Sequence, residues 1–129
     1  MLNRVLTVKG NKLKVRVAAT PREQARGLMY EKYMNPDEGM LFEYPSERYL
    51  SFFMKNTKIP LSIAFVDSKG IIQDIRDMQP LSLDKIQSNK PAKWALEVNR
   101  GYFNKHNIKV GDKINCAGNT IRIKIASTT

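Results

Sequence analysis

The 129-residue sequence predicts a mainly β fold, a compact antiparallel β-sandwich or jelly-roll-like barrel with one or two short helices. Apolar and polar residues alternate with a period of two in several short segments, and Gly, Pro, Asn and Asp separate those segments. About nine short strands can be placed in this way, against two helical segments. Many short strands with few helices are typical of sandwiches and barrels.

At the N-terminus, residues 5–8 and 12–17 are predicted to form a hairpin across Gly10 and Asn11. In the second strand three apolar residues alternate with the cations Lys12, Lys14 and Arg16. Successive side chains of a strand point to opposite faces. This strand is therefore expected to have one buried face and one cationic face in contact with water.

A short helix is predicted to follow the hairpin. Thr20 occupies the N-cap position, Pro21 the first helical position, and Glu23 the position from which a carboxylate can bond back to the cap. We expect the helix to run to about residue 29. Another short strand is predicted over residues 40–43, ended by the turn-forming residues that follow it.

The segment 50–67 places a polar cluster between two apolar runs. Residues 50–54 are predicted to form a buried strand, and Pro60 favours a new strand over residues 61–66. Lys55, Asn56 and Thr57 stand between them. Two interpretations of this cluster remain open. The side chains satisfy the backbone of a turn, or an ammonium, an amide and a hydroxyl converge on a ligand.

The second half of the chain continues the β pattern. A turn at residues 67–70 and a strand at 71–75 complete a hairpin, and residues 77–91 are predicted to form a long loop with a helical turn near residues 83–86. A strand over residues 93–98 carries Glu97 on the same face as Lys93 and Ala95. After a short helix at 99–106, a terminal hairpin of residues 114–116 and 121–125 presents Arg122 and Lys124 on one face.

Length and composition narrow the function classes. The chain fits one domain, residues 1–129, that is long enough to bury a core without disulfides or metal. A single cysteine excludes an intramolecular disulfide, and with one histidine the chain carries no metal-ligand spacing, so neither a metal nor a cofactor is predicted. The net charge of +10 favours an anionic partner or surface.

Two expectations concern membranes and compartment. No apolar run approaches the roughly 18 residues needed to span a bilayer. The first residues lack the apolar core of a signal peptide, which predicts a cytoplasmic chain, or a secreted or periplasmic one if a signal peptide had been removed. The sequence does not predict the oligomeric state.

Five motifs occur in one order along the chain: GLM at 27–29, EGMLFEYP at 38–45, FFMKNTKIPL at 52–61, ALEVNRG at 95–101 and GD at 111–112. Together they resemble the bacterial and archaeal family catalogued as domain of unknown function 192. The resemblance covers about residues 15–114 and implies a compact antiparallel β-sandwich similar to a jelly roll. It implies no reaction, because that family has no established one.

The resemblance also marks polar positions and two departures. The residues that match the polar positions of the family motifs are Arg26, Glu38, Lys55, Asn56, Thr57 and Glu97. Phe53 stands where the family usually has Trp, and Ser62 stands where it often has Asp. If that acid takes part in chemistry or metal binding elsewhere in the family, this chain lacks it.

The leading hypothesis is a binding module for a small anionic or sugar-like ligand. Its pocket is predicted to have Phe52, Phe53 and Met54 at the base, and a rim formed by Arg26, Lys55, Asn56, Thr57 and Glu97. Glu97 has two interpretations, a buried ion pair with Arg26 or Lys55, or a general acid or base with a shifted pKa. With Lys55 as an electrostatic partner, the second would make the protein an enzyme.

The alternative hypothesis is a nucleic-acid-associated protein that acts in DNA binding or repair. It uses a basic stripe on the terminal strands, formed by Lys12, Lys14, Arg16, Arg122 and Lys124. Charged residues on edge strands also prevent sheets from aggregating, so the same stripe has a purely structural explanation.

Overall fold

A computed structural model describes residues 1–116 of the chain and confirms the mainly β fold. It contains nine strands and two short helices. In chain order these are β1 (Leu2–Val8), β2 (Asn11–Ala18), α1 (Pro21–Arg26), β3 (Glu38–Arg48), β4 (Ser51–Phe52), β5 (Leu61–Val66), β6 (Ile72–Met78), β7 (Ile86–Gln87), β8 (Ala92–Asn99), α2 (Tyr102–Lys105) and β9 (Ile114–Cys116). The strand predicted at residues 121–125 lies outside the described residues.

Seven of these strands form one curled sheet in the order β6-β5-β8-β3-β2-β1-β9. Its two outer strands approach each other, because an antiparallel bridge joins Ile71, next to β6, to Lys113, next to β9. The backbone N–H of Ile114 also donates to the carbonyl of Gly70 over 2.8 Å. The sheet therefore closes on itself as a barrel, and a closed sheet leaves few unpaired strand edges.

One strand pair departs from the predicted antiparallel arrangement. β2 and β3 run parallel, with Val15 opposite Gly39 and Val17 opposite Leu41, while every other described pair is antiparallel. Parallel neighbours need a crossover of a dozen or more residues. Residues 19–37, hereafter the crossover, provide it and carry α1. Alternation of side chains does not encode strand direction, so the sequence pattern could not reveal this pair.

The two turns that begin the chain follow backbone preferences closely. The β1–β2 turn lies at Lys9 and Gly10, both at positive φ, one residue earlier than predicted. The predicted capping box at Thr20 and Glu23 is confirmed, since each side chain bonds to the backbone of the other residue. Helix α1 ends at Arg26 and not near residue 29, because Gly27 leaves the helix with φ of 50°.

Two hydrophobic cores lie on opposite faces of the sheet. The barrel core is made by the inward residues of the curled sheet and by α2, and includes Leu13, Val15, Leu41, Leu96, Val98 and Phe103. The outer core lies on the other face of the central strands. Leu28, Met34, Leu50, Met54 and Ile59 cover it from segments outside the sheet, and they pack on strand residues such as Met40, Phe42, Ile63 and Phe65.

The cover of the outer core includes residues 50–54, for which the sequence-based prediction was wrong. Residues 50–54 do not form a buried strand of the main sheet. Only Ser51 and Phe52 are in strand conformation, paired with β7 of the predicted long loop. We call residues 50–58 and 79–88 the strap. The predicted helical turn near residues 83–86 is absent, because this side of the strap is extended and bonds to the other.

No helix among residues 1–116 is both long enough and apolar enough to cross a bilayer.

Candidate functional site

Glu97 is the one acidic side chain buried among the described residues, with 4% of its surface exposed. It lies on the outer face of β8, where alternation places it with Ala95 and opposite the barrel-core residues of the same strand. Its cross-strand neighbours are Met40 on β3 and Ile63 on β5. The carboxyl group therefore sits in the middle of the outer core.

Nothing in the described part of the chain pairs with this carboxyl. The predicted ion pair with Arg26 or Lys55 is not formed, and no ion pair or hydrogen bond to Glu97 occurs among residues 1–116. The same cross-strand row continues to Arg16 on one side and Arg76 on the other. Both guanidinium groups are held elsewhere, by Glu31 at 3.3 Å and Asp74 at 2.9 Å.

Burial without a partner changes the protonation of this group. Removing a carboxylate from water penalises its charged form, and this raises the pKa of Glu97 from 4.5 to about 8. At neutral pH the side chain is therefore mainly the neutral acid, with one O–H donor and free acceptor capacity. A buried group of this kind favours a ligand that can accept or donate a hydrogen bond.

Glu97 lines a cavity of about 260 Å³ between the sheet, the crossover and the strap. Aromatic and thioether side chains make much of the wall: Phe42, Tyr44, Phe52, Phe53, Met29 and Met54. Phe42 and Phe52 meet edge to face, with ring centroids 4.9 Å apart. Half-buried Tyr44 carries a hydroxyl whose pKa burial raises. The cavity combines apolar walls with a few polar groups, as ligand sites usually do.

Arg26 and Thr57 bring further polar groups to this cavity. Arg26, the last residue of α1, is exposed, lines the cavity and places its guanidinium 5.6 Å from the centre of the Tyr30 ring. Thr57 is buried and also lines it, although its hydroxyl already donates to the carbonyl of Lys55 over 3.0 Å.

The rest of the predicted polar cluster lies beside the cavity and not in its wall. Asn56 adopts a positive φ of 55° and donates from Nδ2 to the Tyr30 hydroxyl over 3.0 Å. Lys55 is exposed in the same turn. The structure thus brings Arg26, Thr57 and Glu97 together and places Glu97 at the floor, where a rim position was expected. The pair of Glu97 and Lys55 required for an acid-base mechanism is not assembled.

Three of the five residues of the predicted basic stripe lie within the part of the chain that the structure describes. Lys12 and Lys14 are exposed and Arg16 is half-buried on the outer face of β2, as alternation predicted. Two of these cations have carboxylate partners, since Lys14 lies 4.0 Å from Asp37 and Arg16 lies 3.3 Å from Glu31. Lys14 and Arg16 border an open groove of about 590 Å³. Arg122 and Lys124 lie outside the described residues.

Several residues that line the cavity were not predicted from the sequence, among them Phe42, Tyr44 and Gln24. Phe42 and Tyr44 reach the cavity because the β3–β8 register sets Phe42 opposite Ala95, two residues from Glu97. Gln24 lines the cavity and ties α1 to the sheet, donating to the carbonyls of Ala18 and Glu43. Alternation along β3 places Phe42 and Tyr44 on one face, but only the register shows which face carries the acid.

Residues 1–116 contain no group of three His, Cys, Asp or Glu side chains that could hold a metal ion. Cys116, the single cysteine, is exposed.

Comparison with known families gives a match to domain of unknown function 192, described as an uncharacterised ACR, over residues 4–116. The chain belongs to this family. The crystal structures that are similar to it include the following two. One is a candidate transcription regulator from Sinorhizobium meliloti 1021, with TM-score 0.83 and 36% identity over 90% of this chain and 92% of that chain. The other is a protein of unknown function from Novosphingobium aromaticivorans DSM 12444, with TM-score 0.84 and 31% identity over 88% and 84%. No curated protein matches the sequence.

Proposed function

We propose that this member of the family is a binding module for a small polyhydroxylated or anionic ligand, held in the Glu97 cavity. The observation that carries the proposal is a buried carboxyl group at the floor of a preformed cavity, with no partner among residues 1–116. A ligand that bonds to Glu97 would give this carboxyl group the hydrogen-bond partner that it lacks within the described part of the chain, which gives the cavity a preference for polar ligands over purely apolar ones.

The lining supports this class of ligand. A protonated Glu97 donates a hydrogen bond to a hydroxyl or a carboxylate without charge repulsion. The rings of Phe42, Tyr44 and Phe52 offer apolar surface to the C–H face of a sugar. Arg26 supplies a fixed positive charge that attracts an anion. The volume lies just below the roughly 300 Å³ at which drug-sized sites begin, and therefore suits a single sugar ring or a small organic acid.

The test is a ligand-detected NMR screen of monosaccharides, sugar acids and small carboxylates against the full chain. Hits are expected to weaken at least tenfold in Glu97→Leu and to be kept in Glu97→Gln, because Gln retains a donor and an acceptor. Arg26→Ala should weaken anionic hits, while Arg22→Ala, an exposed arginine of the same helix outside the cavity, is the matched control. Hits whose affinity is unchanged in Glu97→Leu would overturn the proposal.

Lys55→Ala and Asn56→Ala distinguish two versions of the site. If the ligand reaches out of the cavity to the turn, both variants weaken binding as strongly as Arg26→Ala. If it stays inside, Lys55→Ala has no effect and Asn56→Ala acts only through Tyr30, to which Asn56 donates.

Nucleic-acid binding is the second candidate function, favoured by the description of the Sinorhizobium relative as a candidate transcription regulator. The contact surface would be the groove lined by Lys14 and Arg16, together with Lys12 on the same strand. The Asp37 and Glu31 partners reduce the charge available there. The test is binding of labelled single- and double-stranded DNA at two salt concentrations, for wild type and a Lys12, Lys14, Arg16→Ser variant. Phosphate contacts require affinity that falls steeply with salt and is lost in the variant.

A further inference from the structure

The strap exposes three large apolar side chains close together. Phe53, Leu81 and Leu83 expose 39%, 55% and 66% of their surface. Scattered exposed apolar residues are ordinary, but a group of them on one feature indicates an interaction site. We call these three residues the lip.

Backbone hydrogen bonds bring the lip residues together. The N–H of Met54, next to Phe53, donates to the carbonyl of Ser82, which stands between the two leucines. The N–H of Leu81 donates to the carbonyl of Thr57 over 3.0 Å. Phe52 and Ile86 pair across the strap and pack on the outer core. Phe53, the chain neighbour of Phe52, therefore points the opposite way, and Leu81 and Leu83 are exposed on the other segment of the strap.

Leu81 is held in a conformation that leucine disfavours. It follows Pro80 in a turn closed by a hydrogen bond from Ser82 N–H to the carbonyl of Gln79, and its φ is 64°. A turn of this form, with positive φ at its third position, ordinarily takes Gly or Asn there. More than half of the Leu81 side chain is in water, so packing compensates for little of this strain. Stability of the free protein does not explain a leucine at this position.

Three lysines lie close in sequence to the lip residues. Lys55, Lys58 and Lys85 are exposed, and within residues 1–116 none of them is paired with a carboxylate. Asp84 is the one acid in segments 53–58 and 81–85, so these segments carry three cations against one anion. Apolar side chains flanked by lysines are the combination that binds an anionic lipid surface, because one part enters the interface and the other attracts the headgroups.

We propose that the lip docks onto an anionic lipid surface, with Phe53, Leu81 and Leu83 inserted at the level of the headgroups and Lys55, Lys58 and Lys85 facing anionic phosphates or carboxylates. A second copy of the chain fits this surface poorly, since it would bring the same lysines and the same net charge of +10. Phe53 also lines the Glu97 cavity, so the tests use Leu81 and the three lysines, which lie outside that lining.

The test is co-sedimentation of the full chain, freed of nucleic acid, with vesicles of phosphatidylcholine or of phosphatidylcholine and phosphatidylserine in equal parts. Binding is expected only to the anionic vesicles and is expected to fall as salt is raised. Leu81→Gly is the decisive variant. It should lower the partition coefficient about tenfold, by loss of one inserted side chain, while the melting temperature stays equal or rises, because Gly adopts the positive φ without strain.

Matched controls distinguish a specific role of the lip from general effects of exposed apolar side chains and of net charge. Val110→Ser removes an exposed apolar side chain outside the strap and should leave vesicle binding unchanged. The triple variant Lys55, Lys58, Lys85→Ser should lose binding. The triple variant Lys12, Lys105, Lys109→Ser makes the same change in net charge with exposed lysines elsewhere and should keep most of it.

Three outcomes would overturn the proposal. The first is no binding to the anionic vesicles. The second is equal loss in the two lysine triples, which would assign binding to net charge alone. The third is self-association of the free protein that Leu81→Gly and Leu83→Ser abolish, which would make the lip an interface between copies of the chain.

Discussion

The two cores lie on opposite faces of the same strands, yet they are covered in different ways. The barrel core is enclosed by the curled sheet and by α2, so that regular backbone holds almost all of its side chains. The outer core is covered by the crossover and the strap, which have little regular structure. Within residues 1–116, the buried acid and its cavity lie on the second side. The cavity therefore lies where strands form its floor and irregular segments form its cover.

The composition of the two cores follows the same division. The outer core contains Met34, Met40, Met54 and Met78, whereas the described barrel core contains no methionine. Methionine is unbranched and fills irregular gaps, which suits a cover that does not repeat. The barrel core instead uses valine and leucine at alternating strand positions, whose shapes suit a pleated surface.

The largest expected effect is the pH dependence that Glu97 gives to stability. Because its pKa is about 8 in the folded protein and 4.5 in the unfolded chain, the folded state binds the proton more tightly. Its contribution is complete below pH 4.5 and is lost as pH rises to 8, by up to about 5 kcal/mol at 1.36 kcal/mol per pKa unit. Urea denaturation of Glu97→Gln should lack this loss.

The comparison with Glu97→Gln cancels the other titrating groups, among them Glu23 and Glu47, whose pKa values hydrogen bonds from backbone N–H groups lower. Wild type and variant should differ little near pH 4.5, and the variant should be the more stable at pH 8. Parallel curves across this range would show that Glu97 stays ionised and that the outer core is wetter than its burial indicates.

Truncation of one side chain in each core should show that the two covers differ in rigidity. Leu96→Ala removes a fully buried side chain between strands that cannot close the gap, so its cost should approach the upper end of roughly 2–5 kcal/mol. Met54→Ala empties a place under the strap, which can settle inward, and should cost near the lower end. Denaturant unfolding measures both. Equal costs would mean that the strap is as rigid as the sheet.

Gly39→Ala tests the floor of the site. A Cβ atom at this position would lie 2.7 Å from the carbonyl oxygen of Glu97 and 3.1 Å from Val98 Cγ1, so β3 and β8 must separate. Overpacking of this kind costs about 1–3 kcal/mol. We expect a lower melting temperature together with weaker ligand binding, because the strand that carries Glu97 shifts. An unchanged melting temperature would show that the two strands part freely.

The smallest expected effect is at the edge of the cover. Arg16 and Glu31 join β2 to the crossover at 3.3 Å and are both partly exposed. Water screens such a pair, and its coupling energy should be about 0.2–1 kcal/mol. A double-mutant cycle with Arg16→Ser and Glu31→Gln measures it. A coupling energy well above this range would indicate that the pair is needed to hold the crossover in place.

Local patterns predicted the elements well. The cationic and apolar faces of β2, the Thr20 capping box and the turn at residues 67–70 follow from side-chain alternation and from short-range hydrogen bonds. Asp67 illustrates this, because its carboxylate accepts from the N–H groups of Lys69 and Ile71, two and four residues ahead. Such interactions depend only on neighbours in sequence, so the sequence encodes them directly.

The grouping of the site residues depends on contacts between residues that are far apart in the sequence. The strap forms because Met54 and Ser82 bond across 28 positions, and no local pattern pairs these segments. Among the described residues Glu97 has no ion-pair partner, since Arg16 and Arg76 bind Glu31 and Asp74, a choice between carboxylates that only the folded arrangement decides. Candidate residues could therefore be named from the sequence, but neither their grouping nor the isolation of the acid could.

The parallel pairing of β2 with β3 also has a consequence for the order of folding. A hairpin would have closed early, whereas parallel strands can pair only after the whole crossover has been laid over the sheet. The far end of that crossover is held by Asn99, whose side chain donates to the carbonyls of Met34 and Asn35, more than 60 positions away. The Glu97 cavity is thus expected to be among the last parts of the molecule to assemble and the first to come apart.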